Sequence, residues 1–235
     1  MLGIWGGNMK RFMVVAVMAG AMCIAAAGAQ GASFTNGSFE QGAIDPGAYA
    51  TLAAGNTSLT GWSIYSGSID WIGTYWTAAA GIRSIDLNGT APGGMYQGFD
   101  TVAGTPYRVT FALAGNPDGF PTVKSLAVWA KNESTGDALG GGGYSFNSAG
   151  TTKTGMGWTE YSFLFTAASN RSLLELDSTT TFPTFTIPPD VNNTNPFGPA
   201  LDNMRVDAVP VTGTLVLFGS GLLGLIGIGR RRFRK

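Results

Sequence analysis

Through the middle of the chain, apolar and polar positions alternate with a period of two. Tyr107, Val109, Phe111 and Leu113 are separated by Arg108, Thr110 and Ala112; Tyr161, Phe163 and Phe165 are separated by Ser162 and Leu164, with Glu160 before them. This period sends successive side chains to opposite faces, so both runs predict strands in a sheet with one buried face. Further strands are predicted at Gly61 to Tyr65, Ile69 to Ile72, Ser84 to Leu87, Met95 to Phe99, Ser125 to Ala130, Ser172 to Leu176 and Leu201 to Ala208. Nothing in the middle sustains a helical period, and Gly, Pro, Asn and Asp punctuate the runs. The pattern predicts one all-β domain over residues 30–208, a sandwich or jelly roll. Gly140 to Gly143 and the proline-rich stretch Thr179 to Pro199 read as loops.

The two ends differ in kind. Lys10 and Arg11 precede an uncharged apolar run, Phe12 to Ala27, closed by the small residues Ala27, Gly28 and Ala29. A basic start, an apolar stretch and a small-x-small site predict a secretory signal over residues 1–29, with translation starting at Met1 or Met9. Ala208 to Gly229 carries no charge; as a helix it would be about 33 Å long, enough to cross a bilayer. The following Arg230, Arg231, Arg232, Arg234 and Lys235 would stay on the cytoplasmic side and leave the middle outside.

Composition narrows the chemistry. Of 14 basic and 14 acidic side chains, the seven basic ones just named lie at the ends, so the middle carries about −7. A body of that sign lacks the basic stripe that neutralises phosphates, which argues against nucleic acid as a partner. There is no histidine, and the one cysteine, Cys23, sits in the expected signal. Ser-His-Asp and Cys-His catalysis, and metal sites built on imidazole or thiolate, are thereby excluded from the mature domain.

What remains is oxygen and aromatic chemistry. Asp70, Trp71, Tyr75 and Trp76 cluster within a few residues. Flat rings beside carboxylates suit a sugar-binding surface, although Trp71 and Trp76 fit a core equally well. Asp86 and Asn88 fall near a predicted strand end, and Asn116 and Asp118 sit on a predicted turn, where they could cap it or face a ligand. In Leu201 to Ala208, an inward-facing Met204 and Val206 would put Asp202 on the same buried face. A carboxylate there needs a partner. Calcium, an oxygen-seeking cation, is one candidate, with Glu40 as the second ligand.

Seven stretches follow one another along the chain: NGSFE at Asn36 to Glu40, LTGW at Leu59 to Trp62, GSIDWIG at Gly67 to Gly73, SIDLNG at Ser84 to Gly89, LAGNPDG at Leu113 to Gly119, MGWTEYSFLFTA at Met156 to Ala167 and GPALDN at Gly198 to Asn203. Together they resemble the choice-of-anchor C family, a domain-of-unknown-function group shared with plant cell-wall proteins. The resemblance implies a galactose-binding-like jelly roll, a wall or matrix role without established enzymatic activity, and a structural calcium held by Glu40 and Asp202. Residues 209–235 resemble a PEP-CTERM sorting signal read by an exosortase-type enzyme, with Val209, Pro210, Val211, Thr212 and Gly213 as the motif. A Glu-Pro pair is missing there, and the same five residues resemble the Leu-Pro-x-Thr-Gly signal of sortases.

These readings converge on an exported surface or matrix protein whose non-catalytic β-sandwich binds extracellular polysaccharide, held at least transiently in the inner membrane by its C-terminal helix. Two rivals stand beside it: a glycoside hydrolase, which needs only two carboxylates, and a structural adhesion module without glycan affinity.

Overall fold

The computed structural model describes residues 33–180 and 195–210. The expected signal peptide, the expected membrane span from Val211 onward, and Val211, Thr212 and Gly213 of the expected sorting motif lie outside the described residues; Ala208, where that span was expected to begin, ends β11 instead. Among the described residues no helix is long and apolar enough to cross a membrane.

Eleven strands run in chain order: β1 Tyr49–Ala53, β2 Ser63–Ser66, β3 Ser68–Ile72, β4 Ser84–Asp86, β5 Gly94–Asp100, β6 Pro106–Gly115, β7 Val123–Asn132, β8 Ala138–Asn147, β9 Thr159–Thr166, β10 Arg171–Ser178 and β11 Pro199–Ala208. They form two sheets, one of six strands in the order β1-β3-β4-β11-β6-β9 and one of five in the order β2-β5-β10-β7-β8. Every pairing between them is antiparallel. The result is a β-sandwich. Its core lies between the sheets, where Val109, Phe111 and Leu113 of β6 meet Leu126 and Val128 of β7 and Leu174 and Leu176 of β10. Each such side chain contributes ~1.5–3 kcal/mol by leaving water.

Two strands escape the sequence pattern. β1 is YATLA, whose small residues show little contrast between its faces. β8 contains Gly140 to Gly143, expected above to be a loop; the four glycines instead pair with Ala127 to Ala130 of β7. The reason is steric. A Cβ on Gly140 would stand 2.5 Å from the Leu164 carbonyl oxygen of β9, and Gly141 adopts φ +122° beside a register shift. Glycine here permits a close crossing between the two sheets and a bulge, both of which a side chain would block. The Thr179 to Pro199 stretch also needs correction at its ends: Thr180 is buried and exchanges hydrogen bonds with the Ser125 backbone, while Pro199 already belongs to β11.

A second, smaller apolar cluster covers the outer face of the six-stranded sheet. Ile72, Trp76, Ala114, Met156 and Ala200 pack there with Tyr75 and Trp158. The segments after β3 and before β9 make this cover and are tied together: Thr77 N–H donates to the Lys153 carbonyl, and the Trp158 indole N–H donates to the Thr77 carbonyl. At the chain's other end, Val209 N–H donates to the Pro106 carbonyl, and Pro210 is exposed.

A candidate ligand cleft on the outer face of the six-stranded sheet

Register builds the cleft. On β3, Ile69 and Trp71 face the core, so Asp70 and Ile72 face out. Thr51 pairs with Asp70, Asp70 with Asp86, Asp86 with Ala200 and Ala200 with Ala114, giving one row of side chains across the outer face. Tyr49 and Ile72 form part of the next row. Above these rows lies a cavity of about 170 Å³, lined by Tyr49, Asp70, Ile72, Tyr75, Trp76, Asp86, Asn116, Pro196 and Phe197.

Five of the eight predicted ligand residues therefore line one cavity, Asp70, Tyr75, Trp76, Asp86 and Asn116. Asn88 and Asp118 bond to its walls. Asp118 accepts from the Tyr75 hydroxyl at 2.5 Å and from Lys153 Nζ at 3.0 Å, and its own N–H donates to Asn116 Oδ1. Asn88 Nδ2 donates to the Asn195 carbonyl. Trp71 is the exception and a correction. Its ring is fully buried in the core and its indole N–H donates to the Phe39 carbonyl, so it presents no face to a ligand. Trp76 is only 5 % exposed and donates to Ser84 Oγ, acting as wall rather than platform.

Asp70 Oδ1 accepts from the Thr51 hydroxyl at 2.6 Å. Burial raises its pKa, and the Thr51 bond opposes that rise. Asp86 is fully buried. It accepts from the Asn88 N–H and from Asn116 Nδ2. Burial dominates and pushes its carboxyl up to about 8; those two donors pull it down, the Asp70 charge adds to the rise, and Lys124 opposes it. Lys124 reaches toward this region from the other sheet. It is itself buried, with Nζ over the Phe197 ring and donating to the Gly119 carbonyl, and desolvation brings it down to about 8 against the pull of Asp86 and Asp118. For Asp118, burial favours the neutral form, but the bonds from Tyr75 and Lys153 outweigh it and hold its pKa below the usual carboxylate value.

Sequence reasoning missed Tyr49 and Phe197. Tyr49 begins the weakly patterned β1, and Phe197 lies near the end of the stretch read as a loop. Asn-Pro-Phe-Gly directly before a strand was the available signal for the latter.

The expected calcium pair needs a geometric correction. Asn203 takes φ +50° at a bulge between Asp202 and Arg205. Alternation therefore breaks: Leu201 and Met204 both face the core, and Asp202 lies on the outer face beneath the segment after Trp76. It is fully buried there, with Oδ2 accepting from the N–H groups of Ala79 and Ala80 at 2.8 Å each and Oδ1 from Asn203 N–H. Glu40 Oε1 accepts from Ile82 and Arg83 N–H of the same segment. The turn that aims Glu40 is tied by Asn36, whose side chain bonds the Gln41 backbone and the Thr60 carbonyl. Burial pushes Asp202 up to about 6, its three amide donors oppose that, and Glu40 adds to it. Glu40 and Asp202 are both hard oxygen donors of the kind calcium takes, but three of their four carboxylate oxygens already accept from five backbone N–H groups. Among the described residues no group of three acidic, His or Cys side chains is arranged to hold a metal.

Fold and site together define a two-sheet antiparallel β-sandwich with a small aromatic and carboxylate cleft on one outer face. The chain belongs to the family described as protein of unknown function (DUF642), which matches residues 32–207. Over 85 residues it is 40% identical to halomucin of Haloquadratum walsbyi, a stretch covering 34% of this chain and 1% of that protein. The chain thus spans a hundredth of that relative's length. Among solved structures it is similar to the CBM22-1 xylan-binding domain from Paenibacillus barcinonensis Xyn10C, at 14% identity and TM-score 0.43 over 73% of this chain and 98% of that one. It is also similar to TmCBM61 in complex with β-1,4-galactotriose, at 12% identity and TM-score 0.39 over 76% and 99%. A third is the arabinose-bound MgGH51 α-L-arabinofuranosidase, at 11% and 0.47 over 76% and 26%. Overlaps this loose transfer no ligand to the present chain.

Proposed function

We propose that the domain is a non-catalytic polysaccharide-binding module of an exported surface or matrix protein. The observation that carries this reading is the aromatic and polar cleft above the Asp70–Asp86 row. Tyr49 leaves about half its surface to solvent, and its ring meets Tyr75 edge-on at 5.2 Å. Sugar rings bind such surfaces by stacking while carboxylate and amide groups take their hydroxyls. A hydrolytic reading is less well supported, because glycosidases place their two carboxyl groups on either side of the scissile bond. Here Asp70 and Asp86 are side-by-side register partners on adjacent strands.

Calcium between Glu40 and Asp202 belongs to the same proposal, as a structural ion that would neutralise two carboxylates. Export, transient anchoring and exosortase processing rest on the sequence layout of residues 1–29 and 209–235. A glycan array and isothermal titration on the recombinant protein test the binding claim: micromolar to millimolar affinity, lost in Tyr75→Ala, is expected. Failure to bind any polysaccharide, with or without calcium, overturns it. Intact mass of protein recovered from the native envelope tests both processing steps.

A further inference from the structure

We infer that the cleft is selective for one cationic amino-sugar residue, its ring against Tyr49 and Tyr75 and its ammonium group on Asp70. This rests on the polysaccharide-binding reading and narrows it to a ligand class.

Size limits the occupant. A cavity of roughly 150 Å³ accommodates a single six-membered ring, and this one measures about 170 Å³. Pro196 and Phe197 help to enclose it, so it suits one residue of a polysaccharide and not a run of them.

Charge selects the occupant. Among the described residues the lining holds two carboxyl groups, Asp70 and Asp86, and no basic side chain; burial keeps Asp86 neutral below about pH 8, so the charge that selects is that of Asp70. The nearby cations are already engaged. Lys153 binds Asp118 and lies 3.8 Å from the Tyr75 ring centre; Lys124 bonds the Gly119 carbonyl and lies over Phe197. Asp70 Oδ1 takes the Thr51 hydroxyl, and among the described residues no hydrogen bond reaches Oδ2. In the wall behind Asp86, Asn88 Oδ1 is buried with no hydrogen-bond partner among the described residues. It and Asp86 Oδ1 both crowd Gly198, at 2.6 and 2.3 Å from where a Cβ would stand. The floor is thus richer in acceptors than in donors. A neutral sugar answers it with hydroxyls alone. An ammonium group supplies three donors and a positive charge, and charge-assisted hydrogen bonds are about twice as strong as neutral ones. A uronate would meet like charge. The excess of acidic over basic side chains between the chain ends adds a long-range attraction for a polycation.

The test titrates the full chain with a fully deacetylated chito-oligosaccharide, its fully N-acetylated counterpart, a neutral gluco-oligosaccharide and an oligouronate, in low salt and in 0.5 M salt, at a pH where the amine is protonated. Free glucosamine serves as competitor. The deacetylated oligomer is expected to bind at least ~10-fold more tightly than the acetylated one, the ratio one charge-assisted bond supplies. That preference should shrink in high salt. Glucosamine should compete within a few-fold of the oligomer. Asp70→Asn should abolish the preference with an unchanged melting temperature, while Thr51→Val keeps it. If a neutral oligomer binds equally well, or the preference survives in Asp70→Asn, the amino-sugar inference fails and the polysaccharide reading stands. If no glycan binds at all, both fail.

Discussion

Asp70 and Asp86 stand beside each other on β3 and β4, paired in register and facing outward. Asp86 lies below the surface and Asp70 at it, so one cross-strand pair supplies both the floor and the contact point of the cleft. Their electrostatic coupling makes the cleft sensitive to pH.

Stability should fall as pH rises from about 4 to about 8. A folded carboxyl at about 8 against an unfolded value of about 3.9 means that the folded state binds the extra proton throughout this window. Its contribution is complete below the unfolded value and is lost as pH climbs through the folded one. Asp202, at about 6, acts with the same sign over the lower half. Lys124, lowered to about 8, acts oppositely above it: its penalty is relieved as the unfolded lysine also loses its proton near 10.4. Urea midpoints from pH 4 to 10 should therefore pass through a minimum near pH 8. Asp86→Asn should flatten the descending limb. An unchanged slope in that variant would overturn the assignment.

Asp202→Ala strips the acceptor from three backbone N–H groups, those of Ala79, Ala80 and Asn203. A donor left buried costs ~1–3 kcal/mol; Ala79 is exposed and Ala80 and Asn203 are half-buried, so a loss of about 1–3 kcal/mol in all is expected in chemical denaturation. Glu40→Ala, at a less buried site, should cost less. The two should be non-additive because both hold the segment from Ala79 to Arg83. Added calcium should raise the melting temperature of the native protein, and EGTA should reverse it. Neither should act on Asp202→Ala.

Trp71 and Tyr75 should separate stability from binding. Trp71→Ala removes a fully buried indole and is expected to cost about 3–5 kcal/mol. Trp71→Phe, which loses chiefly the bond to the Phe39 carbonyl, should be milder and still bind ligand. Tyr75→Ala should show the reverse, a modest shift in melting temperature with loss of glycan affinity by titration calorimetry.

The glycine run of β8 makes a local test. Gly141→Ala places a Cβ 2.1 Å from the Val128 carbonyl oxygen at φ +122°, whereas Gly142→Ala meets nothing within 4 Å. The first should destabilise by more than ~1 kcal/mol; the second should be neutral or stabilise by ~0.4–1 kcal/mol through the unfolded chain. Equal urea midpoints for the two would contradict the bulge.

Much of this was readable before folding, for local reasons. Val109, Phe111 and Leu113 announce their strand because alternation is a property of consecutive residues, and the core confirms their facing. Asp70 and Tyr75 were legible as a carboxylate among aromatic rings, Asp86 by its place near a strand end and Asn116 by its turn. Trp71 was not legible as core: a tryptophan reads alike whether its strand face turns toward the other sheet or away, and only pairing with β1 and β4 decides that.

The chain by itself determined the class of chemistry and the class of fold: side-chain inventory excludes imidazole and thiolate sites from the β domain, and a period of two commits the middle to sheets. Tertiary structure alone decided what faces what. The bulge at Asn203 turned Asp202 to the outer face, the crossing at Gly140 made a strand of a glycine run, and the Thr51–Asp70–Asp86–Ala200 row gathered four strands into one cleft. Such relations come from contacts between residues distant in the chain, whose geometry no local pattern encodes.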